Sequence, residues 1–161
     1  MIGDAANSVV ILWEGNYSSF SSDSIIYVQR ITGTGSTAWS LDGVTVSSIT
    51  NSSSFLSGST MCGDGTGNYI VNWSITDNTD FTSLLGQKFN SSGIAQWAAN
   101  GISICINPTA LPKYPYIVKS DGTNTMVAWD DFRNGSTNIC CQDKPFRCFS
   151  IFLSLYYYSK W

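Results

Sequence analysis

Tyr27-Val28-Gln29-Arg30, followed by Gly35, Trp39 and Asp42-Gly43-Val44-Thr45-Val46, is matched 58 residues later by Leu85-Gly86-Gln87-Lys88, Gly93, Trp97 and Asn100-Gly101-Ile102-Ser103-Ile104. Gln, Gly, Trp and Gly keep one offset. A second set also recurs: Val10-Ile11-Leu12-Trp13-Glu14, Ile70-Val71-Asn72-Trp73-Ser74 and Met126-Val127-Ala128-Trp129-Asp130, its tryptophans spaced by 60 and then 56. Asp64-Gly65 and Asp121-Gly122 precede their tryptophans by 9 and 8 residues, and Cys140-Cys141-Gln142 follows Trp129 much as Leu85-Gly86-Gln87 follows Trp73. Self-similarity at such a period marks a repeat architecture, in which each unit buries its apolar faces against its neighbours.

Each unit breaks into short β-type runs separated by turn signals, the pattern of an antiparallel meander. In the second unit we read four strands, at about 55–62, 68–75, 82–89 and 94–105, the last broken around Asn100-Gly101. Asp64-Gly65, Asp121-Gly122, Ser92-Gly93 and Asn100-Gly101 supply the positive-φ residues that tight hairpins and bulges require. A four-stranded sheet of this size cannot bury both faces alone. Repetition therefore predicts an all-β fold of β-propeller-like blades, four-stranded antiparallel sheets packed face to face around an axis, with the tryptophans between them. About two and a half repeats are present: an incomplete blade in 1–54, read as lacking its first strand, a complete one in 55–112, and an incomplete one in 113–161. Closed propellers need at least four blades, so the expectation is a fragment of a larger propeller. The tail from Phe149 to Tyr158 differs in composition from the rest. Two readings of it stay open: out-of-frame or truncated sequence, or the outer strand of the third blade.

Composition narrows the function. The 161 residues carry 8 Lys and Arg against 11 Asp and Glu, a net charge of -3, and no histidine. Only 12% are charged, and 51 Ser, Thr and Asn supply the polarity instead. A lone Glu (Glu14) and 14 glycines leave little material for solvent-facing helices. Without an imidazole, Ser-His-Asp triads, Cys-His dyads and His-metal sites are excluded. Eight scattered cations exclude a phosphate-binding stripe, so no nucleic acid is expected. The apolar stretch from Cys148 to Tyr158 is too short to span a bilayer as a helix, and the amino terminus has no signal-peptide pattern.

The first half of the pattern, best in the segment from Met126 to Gly135 with Trp129, Asp131, Arg133 and Gly135, and the second half, best from Ile26 to Val46, resemble propeller-like repeats of large secreted or cell-surface bacterial proteins. The Gly-x-x-x-Trp step, Gly35 to Trp39 and Gly93 to Trp97, is similar to the tryptophan-docking step of quinoprotein-type propellers, without its flanking Asp. It also resembles the Asp-box of sialidase-like propellers, with the glycine one residue displaced and the Asp missing. The resemblance implies an extracellular or cell-surface location in a parent protein. It implies fold more than function.

Candidate chemistry is sparse. Asp130, Asp131 and Arg133 form the densest polar cluster and could bind an anionic sugar, although Asp and Arg in a turn after a core strand commonly lock the loop. A glycosidase would need a second carboxylate at a defined separation. Asp64 and Asn68, and Asp121 and Asn124, present alternating oxygens that suit calcium, the only cofactor in view, but read first as turns; the loop of Asp77, Asn78 and Asp80 reads the same way. The five cysteines, Cys62, Cys105, Cys140, Cys141 and Cys148, lack metal-ligand spacing; packing is their first reading, and a Cys62–Cys105 bridge in an oxidising compartment the second. The recurrent tryptophans read as core, whereas Tyr17, Phe20, Tyr69, Tyr114 and Tyr116 do not recur and could line a sugar-binding surface. Five Asn-x-Ser sequons, at Asn16, Asn51, Asn72, Asn90 and Asn134, are what a chain rich in Ser and Asn produces by chance.

The expectation is a non-enzymatic repeat module acting in adhesion, carbohydrate or protein contact, with self-association through open blade edges a further route. The alternative is a scaffold fragment of a sialidase-like or quinoprotein-type propeller enzyme, its catalytic residues outside this chain.

Overall fold

The computed structural model describes residues 1–4, 7–15, 24–49, 54–79, 81–105, 115–131, 138–143 and 147–151. These form twelve strands and no helix, so the all-β expectation holds. β1 (Ile2–Gly3), β2 (Val9–Gly15), β3 (Ser24–Ile31) and β4 (Val44–Ile49) make a first antiparallel sheet in chain order. β5 (Ser54–Gly63), β6 (Tyr69–Asp77), β7 (Thr82–Phe89) and β8 (Ile102–Cys105) make the second. β9 (Pro115–Ser120), β10 (Thr125–Asp131), β11 (Asn138–Asp143) and β12 (Arg147–Ile151) make the third. Among the described residues no helix is long and apolar enough to cross a membrane.

Two details differ from the sequence reading. The first sheet does have a first strand, since Ile2 pairs with Val10 and Gly3 with Val9; two residues are too few to show in a hydrophobic pattern. The fourth strand of the second sheet starts at Ile102, with only an isolated bridge from Phe89 to Ala95 before it. Between them, side-chain hydrogen bonds from Gln87 hold the backbone in a loop. At the far end, Arg147–Ile151 pairs with β11, Cys141 opposite Phe149, so the beginning of the aromatic run takes the outer-strand place.

β6 explains how the sheets stack. Alternate residues of a strand point to opposite faces, and both faces of this one are buried. Tyr69, Val71 and Trp73 join Val10, Val28 and Val46 of the first sheet in one cluster. Ile70 joins Leu84, Cys62, Val127 and Trp129 in a second cluster shared with the third sheet. Trp73 and Trp129 are both 0% exposed, and full burial of a large apolar side chain contributes about 1.5–3 kcal/mol. The middle sheet thus lies between the other two, and β9 runs against β5. Glu14 adds a polar tie, its Oε1 accepting from the Ser59 N–H at 3.2 Å and hydroxyl at 2.7 Å where β5 bulges at Gly58.

Candidate functional site

Two hydrogen-bonding units recur at the offset seen in the sequence. The buried Gln29 carboxamide oxygen accepts from the N–H groups of Arg30 (2.9 Å) and Trp39 (3.1 Å), and its nitrogen donates to the Ser40 carbonyl. Gln87 does the same with Lys88 (2.9 Å), Trp97 (3.0 Å) and the Ala98 carbonyl (2.8 Å). This fixes the loop that carries each tryptophan. Trp39 then reaches from the first sheet to the second: its indole N–H donates to the Ser91 carbonyl at 3.0 Å, and its ring meets Tyr69 edge-on at 5.8 Å. Gly93 leaves room for that ring, since a Cβ there would lie 2.8 Å from Trp39.

The second unit is an aspartate turn between the first two strands of each sheet. Asp4 accepts from Ser8 N–H at 3.0 Å; Asp64 accepts from the N–H groups of Thr66 (2.9 Å) and Asn68 (3.1 Å); Asp121 accepts from those of Thr123 (2.9 Å) and Asn124 (2.7 Å). In the first two sheets the carboxylate also takes the cation that follows the buried glutamine. Arg30 Nε lies 2.7 Å from Asp4 Oδ2, and Lys88 Nζ lies 2.8 Å from Asp64 Oδ2. Asp4 Oδ2 further accepts from the Tyr69 hydroxyl at 2.8 Å, which ties the first sheet to the second.

These groups surround a cleft of about 450 Å³ between the two sheets, lined by Asp4, Arg30, Thr66, Asn68, Tyr69 and Ser91 with four glycines among them. Its polar surface is hydroxyl, amide and one ion pair, a set that hydrogen-bonds neutral polar ligands. Burial opposes ionisation of Asp64, but the hydrogen bonds from Lys88, Asn68 and Thr66 outweigh it and hold the carboxyl well below the usual range. The hydrogen bond to Asp4 raises the already high pKa of Arg30, and burial together with Asp4 pushes Tyr69 up to about 12. A second, more open cleft of about 320 Å³ lies beside Lys119, Ser120, Asp121, Asn124 and Met126.

The residues singled out from sequence are dispersed. Asp130 and Asp131 are the last two residues of β10, paired with Ile139 and Asn138, so they end a strand rather than form a turn; Arg133 lies outside the described residues. Of the oxygen-rich loops, Asp64 receives from Lys88 the positive charge that a calcium ion would bring, and Asn68 turns its amide nitrogen to Asp64 at 2.8 Å. Asp77 binds the Thr79 and Phe81 N–H groups as an ordinary turn; Asp80 is outside the described residues. Among the described residues no group of three or more Cys, Asp or Glu converges as a metal site would need. Cys62 and Cys105 are thiols packed in the second cluster, not a disulfide, and burial pushes Cys62 up to about 11. The sequon asparagine Asn72 is 0% exposed. Tyr69 alone of the five non-recurring aromatics is placed in the cleft; Tyr17, Phe20 and Tyr114 are outside the described residues, and Tyr116 lies in β9.

Sequence reasoning missed the Asp4–Arg30–Tyr69 triad, though its signal was there. Asp4 precedes Trp13 by 9 residues, as Asp64 precedes Trp73, and Arg30 and Lys88 share the offset of the glutamines. No family model, no curated protein and no solved structure matches this chain.

Proposed function

We propose that the three stacked sheets are blades of a β-propeller-type repeat module from a secreted or surface protein, and that the module is a non-enzymatic binder of carbohydrate. The cleft between the first two sheets is its binding surface. What carries this reading is the way the charges in and beside the cleft are used: Asp4, in its lining, is taken by Arg30 and Tyr69, and Asp64, buried beside it, by Lys88. Acid-base chemistry on a glycoside needs one carboxyl kept protonated beside another that is ionised, whereas Asp64 is locked in the ionised form. The surface left to a ligand is largely apolar, with Thr66, Asn68 and Ser91 as its uncharged polar residues, which suits the apolar face and the hydroxyls of a sugar.

The test is calorimetric titration of the chain with a panel of neutral and acidic oligosaccharides, repeated with Ser91→Tyr. That substitution keeps the carbonyl used by Trp39 and fills the cleft. Binding that weakens at least tenfold in the variant supports the reading; unchanged binding, or none across the panel, overturns it. The Trp39 dock onto Ser91 and Gly93 favours a second reading, scaffold of a quinoprotein-type or sialidase-like enzyme. Hydrolysis of chromogenic glycosides that disappears with Asp131→Ala would overturn the first reading.

A further inference from the structure

The Asp4 and Asp64 ion pairs hold the same place in the first two sheets but use different cations. Arg30 Nε lies 2.7 Å from Asp4 Oδ2, and Lys88 Nζ lies 2.8 Å from Asp64 Oδ2. A lysine therefore suffices to pair the aspartate at this position, and pairing by itself has no need of an arginine. What arginine adds is a planar fork of five N–H donors in place of a point charge. Asp4 takes the Nε edge of the Arg30 fork, and the Tyr69 hydroxyl binds the same carboxylate oxygen. The two terminal nitrogens, Nη1 and Nη2, make no bond to a carboxylate among the described residues. Arg30 lines the cleft between the first two sheets, with 19% of its side chain exposed.

Donors and acceptors around this cleft do not balance. Asp4 Oδ1 accepts from the Ser8 N–H, and its Oδ2 from Arg30 and Tyr69. Asp64 Oδ1 accepts from the Thr66 and Asn68 N–H groups, and its Oδ2 from the Asn68 amide and Lys88. Every carboxylate oxygen is thus engaged, and the two side chains are only 10% and 1% exposed. Donors, by contrast, are left over. Besides the Arg30 fork, the N–H groups of Gly65 and Gly67, both in the cleft lining, have no partner among the described residues. A ligand that answers this surplus brings acceptors, and a carboxylate matches a guanidinium fork with two parallel bonds.

We propose that the ligand of this cleft is an acidic oligosaccharide, and that Arg30 selects it by holding the carboxylate of a uronic acid unit through Nη1 and Nη2. Thr66, Asn68 and Ser91 then serve the hydroxyls that acidic and neutral sugars share. This rests on the carbohydrate reading above and adds to it the charge of the ligand. Calorimetric titration of the full chain with the trisaccharide of galacturonic acid, and with its methyl ester, tests it, because the ester removes the charge and keeps the ring hydroxyls. The acid should bind about tenfold or more tightly than the ester. Arg30→Lys keeps a partner for Asp4, as Lys88 does for Asp64, and should lose that preference while binding the ester as the wild type does. Its thermal unfolding midpoint shows whether it is folded; the wild-type comparison needs no variant. An ester bound as tightly as the acid, or an Arg30→Lys chain that keeps the preference, overturns the inference and leaves the carbohydrate reading standing. Binding of neutral oligosaccharides alone does the same. No binding across the whole panel, or acid binding untouched by Ser91→Tyr, overturns both.

Discussion

Gln87 holds the backbone N–H of Trp97 at 3.0 Å while being only 2% exposed itself, and so sets where that tryptophan leaves the second sheet. Its other two bonds, to Lys88 N–H and the Ala98 carbonyl, satisfy backbone groups that the loop would otherwise leave unpaired. Gln87→Leu keeps the volume and removes all three. Each buried polar group left without a partner costs about 1–3 kcal/mol, so a loss of roughly 3 kcal/mol is expected. Urea unfolding monitored by tryptophan fluorescence gives the value; a loss under about 1 kcal/mol would mean water replaces the carboxamide.

Gly35 and Gly93 occupy the same place in the two units, both at positive φ (83° and 77°), but their surroundings differ. A Cβ at Gly35 meets nothing within 4 Å, whereas one at Gly93 meets Trp39 at 2.8 Å. Gly35→Ala should cost only the left-handed backbone strain, about 1–2 kcal/mol. Gly93→Ala adds an overpacking cost of about 1–3 kcal/mol and should also expose Trp39. Equal unfolding midpoints for the two variants would show that Trp39 does not depend on this contact.

The strands of the second unit were legible because turn glycines and tryptophans punctuate them. The strand expected at about 82–89 is Thr82–Phe89. Ile2–Gly3 was not legible, because a two-residue strand has no periodicity, and the stretch before Ile102 read as strand because its apolar residues, Ile94, Ala95 and Trp97, say nothing of a carboxamide that diverts their backbone. The site was less legible than the fold. Asp64 was noticed as a loop oxygen, but its partner Lys88 is 24 residues away, and only the register of β6 on β7, Ile70 opposite Lys88, brings them together.

That pair predicts acid behaviour. The Asp64 carboxyl has a folded-state pKa below its ordinary 3.8, so its contribution is fully present above that value and is lost as pH falls through the lower folded pKa. Stability should therefore fall below about pH 4, and less steeply in Asp64→Asn. At neutral pH Asp64→Ala removes the acceptor of the Thr66 and Asn68 N–H groups and should cost about 1–3 kcal/mol. A wild-type and Asp64→Asn pair with parallel stability profiles from pH 6 to pH 2 would contradict the assignment.

Alkali should act through two other groups of the second sheet, Tyr69 in the cleft and Cys62 in the second cluster. Tyr69 is raised from 10.0 to about 12 and Cys62 from 9.0 to about 11. Both groups favour their protonated forms in the fold, so their contributions are present below pH 9 to 10 and are lost as pH rises through 11 to 12. Tyr69→Phe should cost about 1.5–3 kcal/mol at neutral pH, as a hydrogen bond to a charged acceptor, and should flatten the upper part of the alkaline profile. Thermal unfolding between pH 8 and pH 12 measures both effects.

Asn72 carries the clearest opportunity for stabilisation. It is 0% exposed, and among the described residues neither Oδ1 nor Nδ2 has a hydrogen-bond partner. It faces Gly86 across the β6–β7 ladder, where a Cβ would lie 2.7 Å from its oxygen, so the pocket is shaped to this side chain. The same position in β2 holds Leu12 and in β10 Ala128. Leucine has the same branching as asparagine, with bulkier methyl ends, and has nothing to leave unpaired. Asn72→Leu should therefore raise the unfolding free energy by about 1–2 kcal/mol, since an unsatisfied buried amide costs about that much. A lower denaturation midpoint in the variant would show that the amide has a use in the fold, a bond to water in the core or a contact that Leu cannot make.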